Sequence, residues 1–599
     1  HEPNLYKLRI DIDGDMSEHI IGMREFNTEG GKFTINGEKT FLRGKHDGMI
    51  FPKTAFAPTD LEEWLRVMKI SKSYGMNHYR YHTCCPPESA FIAADMLGIY
   101  MEPQLPFWGT ITEEGEENHN QEEQDFLVEE GFNMLKFFGN HPSYCMMSMG
   151  NELWGSKKIL NDIIGGYKKF DNRHLYTQGS NNFQWFPNVI ENDDFFVGVR
   201  LANDRLIRGS YAMCDAPLGH IQTDKPAANH DYDSIIRPKK QASSTEVSED
   251  GTVQIQYGTT MKTVKASEVP IVTHEIGQYE TYPNFKEIEK YTGSLKARNF
   301  EVFRERLDEK GLLPLAEDYF KCSGKLAVQC YKEEMEAVFR SRLLGGFQIL
   351  DIQDFSGQGT ALVGVIDAFK EGLITDSEWR EFCNDAVVMA RFDSYVLEAG
   401  SSFKAHTELC NYRPDLKDGK LICTLTLENG DVIGKVEKNF IAEGNYTDIC
   451  DVEFTLPQVT KNTKAVLALE IEGTDIRNHY DLWVIPTVEK TDISGAYIFD
   501  EVNDEAESLL KQGKTVLIVP DLSRPDNSIE GFYCQDFWCY HMFCIISQMM
   551  KKPDPVGTMG LLIDTEHPAL AGFAGKKYST PQWWEIVQNS RSVILVAFK

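Results

Sequence analysis

No stretch of this 599-residue chain approaches the ~20 consecutive apolar residues that a membrane-crossing helix needs. Positive charge is also in short supply: 61 Lys and Arg stand against 91 Asp and Glu, for a net charge of −30. Phosphate backbones are bound by basic surfaces, so nucleic acid is excluded as an expected partner and a small or neutral substrate fits better. The thirteen cysteines include no CxxC pair at zinc spacing. Several, among them Cys145 and Cys423, lie in apolar runs, where a thiol behaves as a small hydrophobe. No His/Asp/Glu cluster shows the spacing of a catalytic metal site, so the expected chemistry needs neither metal nor cofactor. The compartment stays open between periplasmic, extracellular and cytoplasmic, and so does the oligomeric state, a homo-oligomer included.

What is present is a globular composition, 42% apolar and 25% charged, over a length that suggests roughly three or four domains. The chain opens on an alternating strand, Leu5, Leu8, Ile10 and Ile12, with no earlier strand to pair with. A lone strand cannot bury its apolar face. Residues 1–22 are therefore expected to be the last strand of a β-sandwich whose other strands precede this chain. From about residue 33, short apolar strands alternate with helical periodicity, at 40–46, 77–83, 99–107, 143–152, 174–181, 194–200, 271–279 and 345–355. The segment "TDLEEWLRVMKISKSYG" reads as a helix opened by a Thr cap with Glu three residues later. Eight such strands predict a (β/α)8 barrel over 23–392, with a polar insertion at 201–268 bearing a hairpin over the top face. Period-2 strands after 392 predict an immunoglobulin-like sandwich over 393–488. The segment 489–599 reads as a small flavodoxin-like α/β domain with a parallel sheet, its last strand "SVILVAF" left uncovered.

Reactive groups of such a barrel gather at the C-terminal ends of its strands. Those ends carry Arg43 and His46, Arg80 and His82, Glu102, Asn151 and Glu152, Asn181 and Asn182, His274 and Glu275, and Asp351 and Asp354. The strand "SYCMMSMGNE" runs apolar and then stops on an amide and a carboxylate, a costly placement unless the carboxylate is paired or used. Glu152 and Glu275 end the fourth and seventh strands. Two carboxylates across a barrel mouth suit glycoside hydrolysis, one to protonate the leaving oxygen and one to attack or to activate water.

"GNHPSYCMMSMGNE" resembles the "NHPS…GNE" signature of glycoside hydrolase family 2, the family of β-galactosidases, β-glucuronidases and β-mannosidases. "FTINGEKTFLRGKHDG" resembles its first barrel strand, and "MNHYRYHTCCPPESAFIAADMLGIY" its second strand with Arg, His and the following helix. "VPIVTHEIGQY" resembles the strand that ends in the nucleophile, and "GGFQILDIQDF" the eighth. The likeness covers about residues 1–390. It implies that Glu152 is the general acid/base and Glu275 the nucleophile of a retaining double displacement. Asn151 would bind the sugar 2-hydroxyl and Arg80 would hold the nucleophile ionised. His46, His82, Asn181, His274, Asp351, Asp354 and Trp108 would contact substrate, with Trp154 and Trp185 as further stacking faces.

Each role has a plainer counterpart: an ion pair for Glu152 or Arg80, a core histidine for His82, loop caps for Asp351 and Asp354, loop packing for the tryptophans. The family's β-glucuronidases carry Asn-x-Lys after the eighth strand, where this chain has Asp367-Ala368-Phe369, which disfavours a uronic acid. Its eighth strand has Ile349-Leu350 where the β-galactosidases carry Trp. A terminal β-D-galactoside is the first expectation, with α-L-arabinopyranoside, β-glucuronide or β-mannoside as alternatives. A non-catalytic carbohydrate-binding scaffold and a transglycosylase are the other readings.

Overall fold

The computed structural model describes residues 2–182, 189–198, 269–355 and 361–487 continuously, with shorter stretches between 200 and 265 and between 494 and 593. Trp185 and most of the 201–268 insertion lie outside the described residues. Within that insertion, Thr252–Tyr257 and Thr260–Lys265 pair as an antiparallel hairpin.

Eight short strands carry the site: β1 (Leu42–Asp47), β2 (His78–Tyr81), β3 (Tyr100–Glu102), β4 (Met146–Ser148), β5 (Leu175–Thr177), β6 (Phe196–Val197), β7 (Ile271–Gly277) and β8 (Leu344–Leu350). They are mostly too short and too buried to alternate, as expected for parallel strands covered on both faces. Six form one parallel sheet in the order β6-β7-β8-β1-β2-β3. β4 and β5 form a second parallel pair. Single parallel bridges continue the order, Met101 to Tyr144 from β3 towards β4, and Ser180 to Val197 from the end of β5 to β6.

Helices return the chain between strands: α1 (Leu61–Ser73), α2 (Glu88–Leu97), α3 (Gln121–Phe138), α4 (Lys157–Phe170), α5 (Arg298–Glu309) and α6 (Ala316–Arg340). The cap of α1 is Asp60 rather than Thr59. Its carboxylate accepts from the Glu63 amide at 2.9 Å, satisfying an amide that the first turn leaves orphaned. The helices pack apolar faces on the strands; Trp64, Val67 and Met68 of α1 and Leu160, Ile164 and Tyr167 of α4 are buried.

Residues 5–22 are two strands, not the single terminal strand expected. Leu5–Ile12 pairs antiparallel with Asp15–Gly22 through a turn at Asp13-Gly14, where φ is +53° and +91°. The turn chemistry of "DG" supplied the partner that a reading of apolar alternation alone overlooked.

The sandwich also starts earlier than residue 393. Ala386–Arg391 pairs antiparallel with Ser402–Asn411, so a buried apolar strand that reads like another barrel element belongs to the next layer. The second sheet is built on Asp418–Leu427, Val432–Ile441, Thr463–Ile471 and Arg477–Ile485, closing over Leu421, Cys423, Leu425, Leu467 and Leu469. A buried cluster joins the strand Ser402–Asn411 to α6: Arg340 pairs with Glu408 and with Glu336 at 3.1 Å. Further on, Tyr497–Phe499 and Val516–Ile518 run parallel around the helix Asp504–Lys511. Arg591–Val593, by contrast, pairs antiparallel with Ser528–Glu530, a direction that an apolar run does not specify.

Candidate active site

The backbone after β4 is pinned from both sides. The Asn151 amide donates to the Phe107 carbonyl at 3.2 Å and the Glu152 amide to the Ser180 carbonyl at 2.8 Å. Glu152 has φ +50° and follows Gly150 at +138°. A left-handed conformation at a non-glycine residue costs of order 1–3 kcal/mol and persists where its surroundings over-determine it. Asn181, at the end of β5, is also left-handed at +58°, and its Nδ2 donates to Glu152 Oε1 at 3.2 Å.

Glu275 arrives by a different device. In the pairing of β7 with β8, Thr273 faces Phe347 and Ile276 faces Ile349, so β7 holds one residue more than its partner over that interval. This bulge covers His274 and Glu275, with φ +45° at Glu275. Successive strand residues normally point to opposite faces; a bulge re-aims one of them. Here it lets neighbours meet: His274 Nε2 lies 3.5 Å from Glu275 Oε2 and 3.7 Å from Glu152 Oε1. One imidazole nitrogen thus stands between the two carboxylates. Arg80, buried in β2, pairs with Glu275 Oε1 and donates its second arm to Asn151 Oδ1 at 3.1 Å.

The structure therefore gathers Arg80, Asn151, Glu152, Asn181, His274 and Glu275 into one contiguous set. His46, His82 and Trp108 form a wall beside it: the ring centroids of His46 and His82 are 4.9 Å apart, and His82 meets the edge of Trp108 at 5.3 Å. Trp108 is 51% exposed and Trp154 45%, so both rings reach solvent. Burial first, and Arg80 next, push the His46 imidazolium down far below its usual range. Burial first, with the neighbouring His46 and Arg80 after it, pushes His82 down as well. Both rings are therefore neutral, with lone pairs to offer. His46, His82 and Glu275 bring ligand-capable atoms within 4.8 Å of one another.

Asp351 lies deeper, and Asp354 is buried about as far as the two glutamates. Asp351 has no exposed surface, sits 3.6 Å from the Lys45 ammonium and is pushed up to about 7 by burial. Burial opposes the charge on Lys45, but Asp351 and Asp47 outweigh it and hold the ammonium above its usual range. Asp354 accepts the Gly364 amide at 2.8 Å, which ties down the segment after β8, and burial pushes it well up. His274 likewise has no exposed surface.

Sequence reasoning named Glu102 as a strand-end group but missed the polar floor it belongs to: Gln348 donates to Glu102 at 2.8 Å and meets His78 at 3.0 Å, all three fully buried. The signal was there in "NHYRYH" and "GGFQIL", where polar residues interrupt strands otherwise built to be buried.

About a third of the chain matches known proteins in sequence. A β-galactosidase BgaC of Bifidobacterium adolescentis is 26% identical over 231 residues, 36% of this chain and 22% of that protein. A β-galactosidase of Priestia megaterium is 25% identical over 191 residues, 30% of this chain and 18% of its own length. The chain resembles glycoside hydrolase family 2. The aligned segments span about a fifth of those relatives' length. In fold, a β-D-mannosidase from Dictyoglomus thermophilum aligns with TM-score 0.51 at 16% identity, over 80% of this chain and 56% of that one. An FMN-binding β-glucuronidase from Facaelibacterium prausnitzii aligns at TM-score 0.42 and 15% identity, over 81% and 63%. The later regions match two family models described only as domains of unknown function, DUF8488 over 401–486 and DUF8487 over 497–599.

Proposed function

We propose that the eight parallel strands form the (β/α)8 barrel of a retaining, exo-acting glycoside hydrolase, with Glu152 as acid/base and Glu275 as nucleophile. One observation supports this most: two carboxylates from the ends of β4 and β7 face one imidazole nitrogen, at 3.7 and 3.5 Å. Their partners differ in kind. Arg80 balances the charge of Glu275 and orients it, which suits a carboxylate that must attack. Glu152 takes a hydrogen bond from the Asn181 amide, which suits a group that exchanges a proton.

In the first step a Glu275 oxygen bonds to the anomeric carbon while its bond to the leaving oxygen breaks. Glu152 gives that oxygen its proton. In the second, Glu152 takes a proton from water, the water oxygen bonds to the anomeric carbon, and Glu275 leaves. Inversion at each step returns the original anomer. Asn151, held by Arg80, is placed for the 2-hydroxyl, where a hydrogen bond that strengthens in the transition state raises kcat. His82 and Trp108 supply a wall for the pyranose, and the domains after the barrel supply no reacting group.

The sugar is proposed as a terminal β-D-galactoside, supported by the names of the two sequence relatives. A panel of aryl glycosides differing only in the sugar tests it, with proton NMR of the first-formed anomer. Preferential release from the β-galactoside with a β-product supports the proposal. An α-product refutes retention, and preference for another sugar refutes the galactoside.

A further inference from the structure

Among the described residues, two groups of side chains bring histidine and carboxylate ligand atoms within 4.8 Å: His46, His82 and Glu275 in the candidate site, and His406, Glu408 and Asp448 on the sandwich. The second is already engaged by protein. Glu408 receives Arg340, Arg391 and Tyr446, and His406 is held by Asp448 at 3.0 Å and Asp451 at 2.8 Å.

The first group is built differently. His46 is 3% exposed, and its Nδ1 has no hydrogen-bond partner while Asp351 Oδ2 stands 3.8 Å away. His82 turns its Nδ1 to the Thr83 hydroxyl at 3.3 Å. Each ring offers one nitrogen to a ligand. The Asp351 carboxylate beside His46 is of the kind that orients metal-bound histidines, and at 3.8 Å it stands just beyond hydrogen-bond distance here. Glu275 gives Oε1 to Arg80 and keeps Oε2 on the His274 side, 3.5 Å from its Nε2.

We infer that His46, His82 and Glu275 form a three-ligand site for a divalent transition-metal ion of the imidazole-preferring class, zinc foremost, and that the bound ion closes the candidate active site to substrate. Two imidazoles with one carboxylate suit such ions, which bind nitrogen at ~2.0–2.1 Å and oxygen at ~2.0–2.2 Å. Calcium and magnesium want shells of oxygen and find one carboxylate here. The Arg80 guanidinium on the same carboxylate repels a cation, so occupancy is reversible rather than structural. The binding stands on the geometry alone. The inhibition rests on the proposed glycosidase, because the oxygen lone pair that would attack the sugar is the one given to the ion.

The test uses the full chain freed of metal by a chelator. Cobalt(II) titration should give visible absorption of a low-coordinate, nitrogen-ligated ion that saturates at a single equivalent and is displaced by zinc. His82→Ala and Glu275→Gln should each weaken binding more than about tenfold, a loss that removal of a mere outer partner already reaches. His406→Ala should leave it unchanged. Circular dichroism confirms that the variants fold, and the two substitutions lie on different strands, so one can fail without the other. Absence of saturable absorption, or binding unaffected by both variants, overturns the site. Turnover of an aryl galactoside should fall with zinc, competitively, and return with chelator. Undiminished turnover at saturating zinc overturns the inhibitory half. Cobalt binding without turnover of any aryl glycoside leaves the metal site standing and refutes the proposed function.

Discussion

Replacing Arg80 by leucine removes one partner from a buried pair and leaves the other in place. Arg80 is fully buried and the Glu275 side chain is 8% exposed, so water cannot take over the lost contact. Breaking a buried ion pair this way costs about 3–5 kcal/mol, because an uncompensated charge stays inside. Asn151 Oδ1 loses its guanidinium donor as well, adding about 1–3 kcal/mol where the group stays unsatisfied. The predicted loss for Arg80→Leu is thus at least about 3 kcal/mol in chemical denaturation. The diagnostic is the double variant. Glu275→Gln removes the stranded charge, so Arg80→Leu/Glu275→Gln should be more stable than Arg80→Leu alone, with a coupling of about 0.5–3 kcal/mol. Turnover should fall in both. Additive effects, or a loss below about 1 kcal/mol for Arg80→Leu, would show that Arg80 does not hold Glu275 and would refute the reasoning.

Glu152→Ala should slow aryl glycosides with poor leaving groups far more than activated ones, since protonation matters least when the leaving group is already stable. Equal losses across a leaving-group series would remove Glu152 from the acid role. Gly150→Ala should destabilise by about 1–3 kcal/mol, because its φ of +138° disfavours a side chain and the new Cβ meets the Phe107 carbonyl. A thermal shift within error would count against that packing. Asp351 is raised to about 7 in the fold from an ordinary value near 4, so the native state binds the extra proton and its stability falls as pH rises between the two. Asp351→Asn should flatten part of that slope in melting temperature against pH, and an unchanged slope would contradict it. Trp108→Ala should raise KM by about 2–10-fold, the worth of one aromatic contact, without changing the melting temperature. An unchanged KM would assign Trp108 to the loop surface.

The strand–helix rhythm was legible because most of the parallel strands are short buried runs beside amphipathic helices. The residues at the strand ends followed from that rhythm. What it did not reveal was how Glu275 and His274 come to share a face. That depends on a bulge opposite Gln348, a matter of pairing between strands separated by more than sixty residues of chain. The same limit hid the hairpin at Asp13-Gly14 and the transfer of Ala386–Arg391 to the sandwich, where the partner and not the strand's own composition decides. Asp351 and Asp354 read as rim residues because they follow an apolar strand. Only burial shows that one supports Lys45 and the other caps the Gly364 amide.

The most direct test of the central claim is covalent. A 2-deoxy-2-fluoro galactosyl fluoride slows the second step more than the first, so a retaining enzyme accumulates its glycosyl intermediate. Peptide mass spectrometry of the full chain should then find one fluorosugar, ester-linked to Glu275, with Glu275→Gln unlabelled. Labelling of any other residue, or no adduct while an ordinary aryl galactoside is still turned over, would contradict the assignment of Glu275 as nucleophile.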